Sequence, residues 1–143
     1  LTKYMRGLSS FDKVISACIR GVDSPYGLGS HASPSIHEHL GLYTGWLTDK
    51  NCKIVKFEDL IGEKGGGSPG SQHRSLQEIL SHLEVYLSQE EISFLCTKVF
   101  SSGSRTFRKG VIGGWREAFS EQHTKLFNEV AGDAIECFGY PSV

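Results

Sequence analysis

The chain has no excess of charge of either sign, no long apolar run and no disulfide framework, and each absence removes a class of protein. Its 15 Lys and Arg stand against 16 Asp and Glu, a formal net charge of -1. No global field therefore draws it to nucleic acid or to an anionic membrane, and any anion site must be local. No segment approaches the roughly 20 apolar residues that a bilayer-spanning helix requires. Cys18, Cys52, Cys96 and Cys137 lie far apart, three of them among apolar neighbours at helical spacing or in a strand. That distribution reads as reduced, buried thiols of a cytoplasmic protein. His37 and His39 have no acid or cysteine positioned to complete a zinc pattern, so no metal site is expected. A Gly-Lys-Ser/Thr triplet, a nucleophile elbow and an internal repeat are also missing.

At 143 residues the chain has the length of one domain with a real core. It opens on Leu1-Thr2-Lys3-Tyr4, without an initiator methionine or an apolar leader, which suggests a piece of something longer. Phe11, Val14, Ile15, Cys18 and Ile19 predict a first helix closed by Gly21. A glycine- and proline-punctuated loop leads to a second helix, expected to start with Ser33 as cap and Pro34 at its first position. That helix would carry Ile36, Leu40, Tyr43 and Leu47 on one side. Residues 52–57 read as a strand around Ile54 and Val55, and Glu58-Asp59 at its end would cap a helix or hold a cation.

Residues 62–72, with four glycines before Ser68-Pro69 and Gly70, read as a flexible surface loop, because the lysine precedes the glycine run 65–67 and no phosphate-loop triplet exists. Two capping-box patterns follow. Ser75 with Glu78 predicts the start of a third helix running to Leu87, and Ser88 with Glu91 a fourth bearing Ile92, Leu95, Cys96 and Val99. Ser120 caps a last helix that Gly139 and Pro141 stop. The expectation is thus five helices and a single strand, and a lone strand needs hydrogen-bonding partners from elsewhere.

The candidate site is Phe107-Arg108-Lys109-Gly110, followed by Gly113, Trp115 and Phe119. Arginine offers a planar fork for two phosphate oxygens, lysine a compact charge, and glycine close approach of the backbone. An ordinary polar turn is the competing reading of the same residues. Arg105 is a third cation or a solvated turn residue. Trp115 and Phe119, one helical turn apart, read as anchors of the loop, with stacking on a nucleobase as the alternative. His31 and His123 read as surface residues rather than general bases.

From Phe107 to Phe119 the chain resembles the C-terminal signature of the sulfotransferases that use 3'-phosphoadenosine 5'-phosphosulfate. The fixed pattern is Arg-Lys-Gly, two residues, Gly, one residue, Trp, three residues, Phe, and every fixed member is present. Gly114 stands where the family often has an acid. Phe57-Glu58-Asp59-Leu60 resembles the family's aromatic-Glu-Asp-Leu at a strand end. The helix of residues 11–21, the Pro25-Tyr26-Gly27 loop and Trp46 resemble elements that precede it.

The resemblance implies an α/β fold of which residues 1–143 form the mostly helical C-terminal portion of a P-loop-like three-layer domain. The remaining strands would lie upstream or in another chain. It implies that Arg108, Lys109 and Gly110 hold the 3'-phosphate of the cofactor, with Phe107 and the stretch from Thr97 to Phe100 near the adenine. The implied activity is sulfuryl transfer to a hydroxyl or amine of a small-molecule acceptor, leaving 3'-phosphoadenosine 5'-phosphate, with Tyr26, Gly27, Leu28 and the neighbourhood of His31 beside the acceptor. The family's catalytic histidine, 5'-phosphosulfate loop and upstream 3'-phosphate contacts have no counterpart here, so this portion alone is expected to be inactive. A catalytically silent nucleotide-binding or scaffold module and a kinase-like fragment remain as alternatives.

Overall fold

A computed structural model describes residues 8–23, 33–103, 105 and 109–142. Among them are six α-helices and no β-ladder longer than one isolated bridge. The helices are α1 (Phe11–Arg20), α2 (Ile36–Gly41), α3 (Phe57–Leu60), α4 (Pro69–His82), α5 (Gln89–Val99) and α6 (Glu121–Cys137). Short 3-10 turns occupy Thr44–Leu47, Glu63–Gly65 and Gly114–Glu117. The chain divides into two compact units. One takes the residues up to Cys52 and those from Arg116 onward, and the other is Lys53–Trp115.

In the first unit α6 packs against α1 and α2. Ser10 caps α1 and Gly21 ends it at φ 79°, a value that a side chain would resist. Ile15 and Ile19 are four apart and so share one face of α1, and they meet Leu126 of α6 in a small core. Ile36, Ala118, Phe119, Phe127 and Val130 pack around that core. Phe119 packs in this core and stands edge-on to both His123 and Phe127.

His123 corrects the expectation of a surface residue, since it is only 4% exposed. Its Nδ1 faces the backbone N–H and the hydroxyl of Ser120, each at 3.1 Å, and its Nε2 lies 3.1 Å from the carbonyl oxygen of Asp12. A backbone N–H only donates and a carbonyl only accepts, so these partners call for a neutral ring with its proton on Nε2. Ser120 caps α6 as expected, and His123 completes the capping box in place of the usual acid.

The second helix departs from expectation. Ser33 is taken by an antiparallel bridge to Val22, with bonds of 2.7 and 3.1 Å. Ser35 therefore serves as the cap, in a capping box with Glu38, and α2 ends at Gly41. Tyr43 and Trp46 contact each other edge-on across the following 3-10 turn, both exposed. Of the cysteines, all free, Cys18 and Cys137 are exposed and Cys52 and Cys96 half-buried, so the expectation of free thiols stands and that of buried ones does not.

In the second unit α4 packs on α3 and α5. The expected strand over 52–57 is not formed. Lys56 is extended, but a strand exists only as part of a ladder, and the described residues supply no partner strand. Phe57 instead opens α3. The third helix begins at Pro69 rather than after Ser75, because Ser68 accepts the Ser71 N–H and Pro69 fits the first helical turn. It ends at His82, and Glu84 at φ 57° turns the chain toward α5. Ser88 and Glu91 form the expected capping box.

Candidate functional site

The segment expected to be a flexible surface loop is a turn that buries Gly62 and Gly65 and exposes Glu63, Lys64 and Gly66. From buried Ile61 the chain reverses at Gly62, φ 73°, runs through the 3-10 turn Glu63–Gly65, and reverses again at Gly66, φ 86°. The carbonyl of Gly62 accepts the N–H groups of Gly65 and Gly67 at 3.1 and 2.8 Å. Residues 69–72, also expected in the loop, are the first turn of α4. Glu58 and Asp59 lie in the first turn of α3, the end at which a helix dipole favours acids.

Gly62, Gly65 and Gly67 are required by contact, and Gly66 by its positive φ. A Cβ on Gly65 would stand 2.3 Å from Cγ1 of Ile61 and 2.7 Å from the carbonyl oxygen of Gly110. One on Gly67 would stand 2.9 Å from the Glu58 carbonyl oxygen. Gly62 faces the carboxamide of Gln72, a buried side chain whose Nε2 donates to the Cys96 carbonyl at 3.2 Å. Gln72 thereby joins α4 to α5.

Against this turn lies the stretch after the cationic pair. The Ile112 N–H donates to the Gly65 carbonyl at 2.9 Å, and Gly110 and Gly113 take φ values of 59° and 72°. Both fixed glycines of the signature therefore sit in backbone conformations that other residues resist. Lys109 is exposed and Gly110 half-buried. Trp115, on the 3-10 turn Gly114–Glu117, is 37% exposed. Phe107 and Arg108 lie outside the described residues, as do Pro25, Tyr26, Gly27, Leu28 and His31.

Thr97 sits on α5, exposed, its hydroxyl donating to the Phe94 carbonyl at 2.7 Å. With Phe100 it lines a cavity of about 230 Å³, whose other walls include Ile61, Lys64, Gln72 and Cys96. The structure thus brings together the glycine turn, the 109–113 stretch and, across Ile61 and Lys64, the end of α5. The cavity combines an aromatic wall, a hydroxyl and one charge of each sign, Glu63 and Lys64.

Among the described residues no group of three His, Cys, Asp or Glu is placed to hold a metal ion, and no helix is long and apolar enough to cross a membrane. From the sequence, residues 62–67 with Lys64 read as a flexible loop without a phosphate-loop pattern, and Gln72 did not stand out. The available signal was a glycine run directly behind Glu58-Asp59-Leu60 and ahead of Ser68-Pro69, a position where backbone packing is a natural use for glycine. Comparison of the chain with protein-family models, curated proteins and solved structures finds no match.

Proposed function

We propose that this chain supplies the 3'-phosphate-binding loop, and part of the acceptor pocket, of a sulfotransferase that uses 3'-phosphoadenosine 5'-phosphosulfate. The observation that carries the reading is the complete spacing from Arg108 through Lys109, Gly110, Gly113 and Trp115 to Phe119. Two structural facts support it. The glycines of that pattern have positive φ. The turn on which the pattern rests also borders the cavity that Thr97 and Phe100 line.

In this reading Arg108 grips two phosphate oxygens, Lys109 adds charge, and Gly110 admits the backbone to the anion. Their work is binding and orientation of the donor. Bond making, an in-line transfer of the sulfuryl group to an acceptor hydroxyl or amine, falls to the histidine and 5'-phosphosulfate loop that the resemblance assigns to a segment without counterpart here. The three-layer α/β architecture belongs to the same proposal.

Calorimetric titration of the chain with 3'-phosphoadenosine 5'-phosphate tests it. A hydrogen bond to a charged group contributes about 1.5–3 kcal/mol, so Arg108→Ala should weaken binding about 10- to 100-fold. Equal affinities for the parent and Arg108→Ala would remove the proposed role.

A further inference from the structure

Lys64 is a cation with a fixed base and no assigned task. It sits in the middle of the 3-10 turn Glu63–Gly65, between buried Gly62 and buried Gly65. The turn is held from within by the Gly62 carbonyl and from outside by the Ile112 N–H. Its position relative to the 109–112 stretch is therefore set by backbone contacts rather than by flexible side chains.

Lys64, exposed, lines the cavity shared with Ile61, Gln72, Thr97 and Phe100. Among the described residues it enters no ion pair, whereas Lys53 is engaged by Glu78 at 2.6 Å. The walls divide by chemistry. Ile61 and Phe100 offer apolar surface, Thr97 a hydroxyl, and Lys64 the positive charge. Glu63 lines the same cavity and opposes an anion there.

We propose that Lys64 is a further phosphate contact for a purine nucleotide, reaching a ligand in this cavity from the glycine turn. This rests on the nucleotide-binding reading given above. A phosphate monoester carries close to two negative charges at neutral pH. A third cation on a separate backbone segment would share that charge and fix the nucleotide's direction in the cavity.

The experiment compares 3'-phosphoadenosine 5'-phosphate with adenosine, which has the same base and no phosphate, by amide chemical-shift titration followed at Thr97 and Phe100. The parent, Lys64→Gln, Lys64→Arg, Glu63→Gln and Arg108→Ala are each titrated after matched thermal melts. Lys64→Gln is expected to weaken the phosphorylated ligand about tenfold and to leave adenosine unchanged. Lys64→Arg should retain most of the affinity, and Glu63→Gln should raise it a few-fold. If Lys64→Gln binds the phosphorylated ligand as the parent does while Arg108→Ala loses it, Lys64 has no such role and the clamp survives. Equal loss of both ligands in Lys64→Gln would also overturn the proposal, since it would mark a structural effect. If neither the parent nor Arg108→Ala shows phosphate-dependent binding, the clamp reading fails and the Lys64 contact falls with it.

Discussion

The core around α6 and the turn over residues 62–67 are both close-packed, but by opposite means. In the first, side chains fill the space. Ile15, Ile19 and Leu126 meet, and Phe119, Phe127 and Val130 close around them. In the second, the absence of side chains creates the packing. Gly65 admits the Gly110 carbonyl and the Ile61 side chain to distances that no Cβ would allow. The contrast teaches that a glycine run can be packed through its backbone. It also separates two kinds of fragility, since the first region weakens when atoms are removed and the second when they are added.

That contrast can be broken from either side. Leu126→Ala removes a side chain only 8% exposed and should cost about 3 kcal/mol, measured by denaturant unfolding. Gly65→Ala adds one methyl group and should cost about 2 kcal/mol, because one of the atoms it meets is backbone. It should also speed hydrogen exchange at the Ile112 amide, which Leu126→Ala should change less. Equal tolerance of Gly65→Ala and a surface substitution would refute the description of the turn as packed.

A polar version of the test uses His123→Phe, which keeps a ring but leaves the Ser120 N–H and the Asp12 carbonyl without their partner. About 1–2 kcal/mol should be lost. The smallest effect is electrostatic. The Ser88 backbone N–H, and then its hydroxyl, hold the Glu91 carboxyl below its ordinary 4.5. A lowered folded-state value means that the stabilisation is full above about pH 4.5 and is lost as pH falls through the lowered value. Carboxyl-carbon NMR should give a Glu91 midpoint below 4.5, and Ser88→Ala should return it upward.

What the sequence disclosed follows the range of each signal. The Ser88 and Ser120 caps act over three residues and were legible. Ser33 was misassigned because its partner is Val22, beyond the reach of any local pattern. Ser75 carried the right pattern, yet Ser68 with Pro69 starts α4 one full turn and more ahead of it. Ile54 and Val55 have strand propensity, but a ladder is a property of two segments.

The site divides in the same way. Lys109, Gly110 and Gly113 stood out by spacing, and the two glycines take positive φ. The surface beneath them did not stand out, because glycine packing leaves no hydrophobic period to read. Cys18 and Cys137 were expected to be buried from their neighbours in the sequence, but which face of a helix is covered depends on what packs against it.

The bond from the Ile112 amide to the Gly65 carbonyl also bears on the order in which the unit is built. It joins residues separated by the whole of α4 and α5. Closing so long an excursion is entropically costly until those helices have formed and docked. The cationic stretch should therefore gain its shape late in folding and lose it early in unfolding. A bound anion would then act as a latch on the final step, slowing the release of residues 109–112 more than it slows the opening of either helix.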